Sequence, residues 1–240
     1  RILDFSNSSR DDIAEVLIAL SPCIEYYNES TNCVSFVAAA EPWFYSQFSE
    51  SITTYSKNQC EAYFTCLAKI ISKFPSAVEL WKKTVPLILQ YLNNQRTPLY
   101  VQASILRFLN QVQTTAFEEI ASESLSELCH SVMRKVLPEK AFLRSLALES
   151  IVKLVTHAER MELEWFIHSS VQKFADALRP TESHSMRTRA NLLLYEYFPL
   201  VANTKWNGEF LRIFQYMEEI LTSKNPEKLK LATIRSLGHL

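Results

Sequence analysis

The sequence predicts an all-α fold in which pairs of helices stack into a right-handed α-α superhelix. Three observations predict it. Apolar residues recur with the 3.6-residue helical period along nearly the whole chain. Only two glycines occur among 240 residues, Gly208 and Gly238. The helical pattern itself comes back about every 42 residues, a period that marks stacked repeats.

The glycine count excludes more than it includes. Phosphate-cradling loops need two or three glycines within a few residues, because only glycine reaches left-handed backbone and lets the main chain approach a phosphate closely. Tight hairpins need Asn-Gly or Asp-Gly, and Asn207-Gly208 is the one candidate. Nucleotide-binding α/β folds and β-sandwiches are therefore disfavoured.

Taken in order, residues 10–27 read as a helix with Ile13, Val16, Leu17, Leu20 and Ile24 apolar, and Pro22 as a point of division. Residues 33–54 are mostly helical around Glu41-Pro42-Trp43. Residues 57–74 place Tyr63, Phe64, Leu67, Ile70 and Ile71 on one stripe. Pro75-Ser76 ends that helix, with Ser76 as cap of the next, 77–92, which Pro86 should kink. Thr97-Pro98 opens 98–112. A helix over 115–136 carries Phe117, Ile120, Leu125, Leu128, Val132 and Val136. Pro138 opens 139–157, and 160–178, 184–202, 208–222 and 226–240 complete the series.

The first helix of each pair aligns on Gln59, Val101, Leu143, Met186 and Leu229, at spacings of 42, 42, 43 and 43. Eight residues past each anchor stand Leu67, Leu109, Ile151, Leu194 and Leu237; eleven past stand Ile70, Val112, Leu154, Tyr197 and Leu240. A small residue follows each anchor closely: Ala62, Ala103, Ala147, Ala190 and Ala232. One helical hairpin cannot bury its apolar face alone, so neighbours share a core.

On these residues the chain resembles the HEAT/armadillo class of helical repeats. The segments PLYVQASILRFLNQV (98–112), AFLRSLALESIVKLV (141–155) and PEKLKLATIRSLGHL (226–240) carry the resemblance. It implies one continuous solenoid. Residues 1–55 form a divergent N-terminal pair, and 56–240 form about four and a half repeats, truncated at the C-terminal end. Units of this class often carry an aspartate–arginine ladder. None is evident here, so stacking is expected to rest on apolar packing. Met186 and Arg189 depart from the usual pattern and suggest a distorted fourth unit. The last helix lacks a partner for Leu237 and Leu240, and the chain begins at Arg1. Both lead to the expectation of a fragment of a larger protein.

Chemistry is sparse. Five cysteines, an odd number with no CxxC, fit reduced thiols inside a cell. Cys60 and Cys66 face different ways on one helix, and His157, His168 and His184 are isolated. No HExxH or GxSxG occurs. Glu118-Glu119 and Glu218-Glu219 read as solvated faces. No catalysis, metal or cofactor is expected. With 25 basic and 26 acidic residues, there is no global field to attract nucleic acid or membrane.

The expected function is a non-catalytic, intracellular scaffold that binds protein partners, an extended segment or a helical domain, within a larger complex. The resemblance places the second helix of each pair on the concave face. Its outward polar groups are the candidate contacts: Glu79, Lys82, Lys83, Arg134, His168, Lys173, Arg212 and Glu219. A second reading is a nucleic-acid-associated repeat of a chromosome-maintenance or repair factor. It would use a basic edge of Arg134, Lys135, Lys140, Arg144, Arg187 and Arg189, joined by neighbouring Lys153, Lys173 and Arg179. A third, prompted by sequons at Asn7 and Asn28, is the helical module of a secreted lipid carrier. The aromatic run Trp43, Phe44, Tyr45 and Phe48 reads as core, with a docking patch as the alternative.

Overall fold

In the computed structural model, residues 10–26, 31–136, 141–201 and 208–238 are described. Asn7, Asn28, Pro138, Lys140, His239 and Leu240 lie outside them. Every regular element among the described residues is helical. Among the described residues the α-helices are α1 (Arg10–Tyr26), α2 (Thr31–Ser46), α3 (Lys57–Lys73), α4 (Val78–Asn93), α5 (Leu99–Gln111), α6 (Ser122–Met133), α7 (Ala141–Arg160), α8 (Glu164–Leu178), α9 (His184–Leu200), α10 (Gly208–Thr222) and α11 (Glu227–Leu237). They gather into two compact units that divide within α6, Arg1–Leu128 and Cys129–Leu240.

In the first unit, α1, α3 and α5 pack side by side as one layer, and α2 and α4 form the other. The sequence fixes the start of α3 through a reciprocal cap. Ser56 Oγ accepts from Gln59 N at 3.3 Å, and Gln59 Oε1 accepts from Ser56 N at 2.7 Å. This is why the anchor Gln59 is only half-buried where later anchors are buried. Pro75 keeps Phe74 out of the helical region, and α3 stops there. Ser76 does not cap α4: Pro75–Ala77 forms a 3₁₀ turn and Ala77 holds the cap position. Neither Pro22 nor Pro86 divides its helix; α1 and α4 run through them.

The aromatic run is mostly core. Phe44 and Phe48 are buried and stack around Tyr63, whose hydroxyl donates to Phe44 O at 2.6 Å. Tyr91 Oη donates to Phe48 O at 3.0 Å. The π turn at Gln47–Ser51 and the end of α2 before it thus offer carbonyls to donors on the next pair.

The expected helix over 115–136 is broken. Thr114–Glu119 is a 3₁₀ turn, Ile120 is extended, and α6 begins at Ser122. The reason is Trp81. Its Nε1 donates to Ala116 O at 2.7 Å, and its ring meets Phe117 edge-on at 5.7 Å. In an unbroken α-helix, Ala116 O would serve the Ile120 amide; here that amide goes to Phe117 O.

In the second unit, α7, α9 and α11 make one layer, with α8 and α10 packed together against it. The helix expected over 160–178 starts four residues later, at Glu164. The chain instead turns at Glu162, whose φ of 55° is the one positive value among described non-glycine residues. Ser183 Oγ accepts from Met186 N at 3.2 Å and starts α9, which runs unbroken past Met186 and Arg189 to Leu200.

The repeat register is visible in burial. Leu67, Leu109, Ile151 and Leu194, each eight past an anchor, are buried, as are Ile70, Val112, Leu154 and Tyr197, each eleven past. The small residues Ala103, Ala147, Ala190 and Ala232 are buried, and Ala62 is half-buried.

Candidate interaction surfaces

Charged side chains join successive repeats, beside the apolar packing expected to carry most of the stacking. Arg107 on α5 pairs with Glu61 on α3. Lys83 Nζ on α4 lies 2.5 Å from Glu41 Oε1 on α2. In the second unit, Arg189 Nη2 on α9 lies 2.5 Å from Glu149 Oε2 on α7. Arg144 Nη1 lies 2.5 Å from Glu182 Oε1, just before α9. The acid is glutamate rather than aspartate, and its place shifts between repeats. A search for a fixed pair of positions passes over it.

The described residues of the expected basic edge are placed unevenly. Arg144 and Arg187 are only 2% and 3% exposed. Arg187 Nε donates to Leu178 O at 3.1 Å, with Asn225 and Glu219 at 3.5 and 3.4 Å from its guanidinium. A buried guanidinium is retained only where acceptors meet it, so these two arginines face inward to build the stack. Arg189 is committed to Glu149. Arg134 is exposed, Lys135 is half-buried, and Lys140 is outside the described residues. Lys153 is half-buried, and the removal of water holds its ammonium below the usual lysine range, opposed by Glu149 and Glu196.

The other candidates lie on the outer faces of the second helices. Glu79 and Lys82 pair with each other along α4 at 3.2 Å. On α8, Glu164, His168 and Gln172 are exposed at four-residue steps, with Lys173 beside them half-buried. On the adjoining α10, Arg212 is exposed and pairs with Glu209 at 3.1 Å, while Glu219 turns toward Arg187. The structure thus brings His168, Lys173 and Arg212 onto two adjacent helices and takes Glu219 partly out of that face.

Two further features depend on residues distant in sequence. His130 of α6 stacks on Trp165 of α8 with ring centroids 3.9 Å apart. Between α10 and α11 lies a groove of about 380 Å³ lined by Leu211, Phe214, Met217, Leu221 and Leu237, with the polar Gln215, Glu218 and Thr222 also in its wall. Leu211 is exposed on α10, as are Leu231 and Ile234 on α11. The open apolar face of the last helix is therefore carried by Leu231 and Ile234. Leu237 is half-buried in the groove wall.

Three thiols are buried. Burial pushes Cys60, Cys66 and Cys129 up to about 12, so all three stay protonated at neutral pH. Among the described residues, no three of His, Cys, Asp and Glu are placed to share a metal ion. No described helix is long and apolar enough to cross a membrane.

No family model matches the chain, and no curated protein matches it in sequence. Solved structures do. An engineered protein from the Northeast Structural Genomics Consortium superposes with a TM-score of 0.60 at 13% identity, over 99% of this chain and 95% of that one. A designed armadillo repeat protein in complex with the peptide (KR)4 gives 0.61 at 12%, over 97% and 95%. A computationally designed armadillo repeat protein for modular peptide recognition gives 0.56 at 11%, over 97% and 94%. The chain has the fold of the HEAT/armadillo class of helical repeats, an all-α, solenoid-like architecture. At these identities the likeness is one of fold alone.

Proposed function

We propose that the chain is a non-catalytic repeat scaffold that holds an extended segment of a partner protein across the second-helix faces of its repeats. The observation that carries this reading is the exposed polar row Glu164, His168 and Gln172 along α8, with Lys173 and α10's Arg212 beside it. Two parallel helices bearing alternating polar groups offer an extended peptide side-chain and main-chain partners over several residues. The peptide in complex with a designed armadillo repeat protein of the same fold supports the mode. The mixed charge of this face suits a segment of mixed charge, and the near-neutral balance of the whole chain favours protein over nucleic acid as partner. The free thiols Cys23, Cys60, Cys66 and Cys129 fit an intracellular setting within a larger assembly.

The test is selection of displayed peptides on the 240-residue chain, followed by anisotropy titration of the winners. A Lys173→Glu, Arg212→Glu variant should weaken them at least tenfold while leaving thermal unfolding unchanged. Peptides that bind the variant as tightly as the parent chain would remove this face from consideration.

A further inference from the structure

A proline inside a helix removes one main-chain donor and leaves the carbonyl four residues back without its helical partner. The second helices α2 and α4 each carry one, Pro42 and Pro86, and both prolines are exposed. The carbonyls set free are Ala38 O and Lys82 O. Ala38 and Lys82 are exposed too. A helical carbonyl points along the axis toward the residue four on, so each oxygen lies beside its proline on the outer face. α2 and α4 pack side by side, and the ion pair of Lys83 with Glu41 ties them next to the two prolines. Pro22 and Pro199 also lie inside helices, α1 and α9. Among the described residues, no first helix beside either of them carries a second proline. The matched pair of free carbonyls therefore belongs to the α2–α4 face.

Two acceptors on neighbouring helices set a spacing. Packed helices lie roughly 8–10 Å apart. A polyproline II segment has three residues per turn, so its N–H groups three residues apart point to one side, about 9 Å from each other. In a β-extended segment the amides that share a side are two residues apart, about 7 Å, and fall short of the second helix. Tyr45, one turn past Pro42 on the same stripe, is 41% exposed. An exposed aromatic ring of this kind is a surface on which proline rings pack.

We propose that the α2–α4 face binds a proline-rich partner segment in the polyproline II form. Main-chain N–H groups three residues apart donate to Ala38 O and Lys82 O, and a proline ring of the segment rests on Tyr45. The two residues between the donors face away from the helices and are free to be proline. Such a segment is already extended in water, so little ordering opposes its binding. This inference rests on the reading that second-helix faces hold extended segments, and it adds a class of segment on helices other than α8 and α10.

The probe is a capped, fluorescein-labelled (PPA)4 peptide, whose alanine N–H groups recur at every third residue, titrated by anisotropy. Pro42→Ala with Pro86→Ala returns a helical donor to each carbonyl. The double variant should bind (PPA)4 at least tenfold more weakly, having lost two hydrogen bonds. It should also unfold at a higher temperature than the parent chain, because interior proline disfavours a helix. The peptide with N-methylalanine in place of alanine keeps its shape and loses its donors, and should bind parent and variant equally weakly. The Lys173→Glu, Arg212→Glu variant should bind (PPA)4 as the parent does. The proposal is overturned if the double alanine variant, or the N-methylated peptide, binds as tightly as the original pair. Absence of binding by the parent chain at millimolar (PPA)4 overturns it as well. Loss of (PPA)4 binding in Lys173→Glu, Arg212→Glu would move the site to α8 and α10. A parent dimer abolished by Pro42→Ala with Pro86→Ala would make a second copy the occupant. Either result overturns the assignment.

Discussion

Arg144 and Arg187 are equivalent residues of successive repeats, each one position past its anchor, each almost wholly buried, and each aimed at the residue four before the next anchor. Two of the residues expected on a basic edge are thus internal ties of the stack.

Removing one member of such a tie strands the other. Glu182→Ala should lower unfolding stability by about 3 kcal/mol, because a buried guanidinium left without its carboxylate keeps its full desolvation cost. Arg144→Met in the same chain should restore most of the loss. Urea unfolding of the two variants measures it, and equal instability of single and double variants would contradict the assignment.

Charge reversal separates the surface arginine from the internal one. Arg134→Glu should change stability by no more than about 0.5 kcal/mol, as exposed substitutions do, whereas Arg187→Glu should cost about 3 kcal/mol or more beside Glu219. Duplex DNA titrated at several salt concentrations should bind the parent chain and the Arg134→Glu variant equally weakly. A steep salt-dependent affinity lost in Arg134→Glu would revive the nucleic-acid reading.

Alkali should destabilise the fold through its thiols. In the unfolded chain, Cys60, Cys66 and Cys129 release their protons near the ordinary value of 9.0; in the fold they hold them up to about 12. Their contribution is therefore fully present below pH 9 and is lost as pH rises toward 12. Tyr63 and Tyr197, also raised by burial, act in the same sense above pH 10. Between pH 9 and 10 the urea midpoint should fall, and a variant with all three cysteines changed to alanine should fall less steeply. Parallel slopes would show that the thiols do not carry the effect.

The helices and their register were legible because period and spacing are written in apolar residues that any reader of the sequence can align. Leu109, Ile151 and Leu194 are buried at the places the 42-residue recurrence assigns them. What escaped was set by partners distant in sequence. The break before α6 depends on Trp81 reaching Ala116 O, 35 residues away. The inward direction of Arg144 depends on Glu182, 38 residues away. A lysine or arginine in a helical pattern reads as a rim until its acceptor is found. The α10–α11 groove was hidden for a related reason: Phe214 and Leu221 lie on a helix whose periodic face matches the others, and only the fold shows that part of that face is left open.

The central claim is that successive repeats share one apolar layer in a fixed register, and the pair that expresses it most directly is Phe64 with Phe108. A double-mutant cycle with Phe64→Leu and Phe108→Leu, read by urea unfolding, measures their coupling. The account predicts about 0.5–1.5 kcal/mol of favourable coupling between the rings. Additivity of the two substitutions would mean that residues five and seven past consecutive anchors do not meet, which contradicts the register.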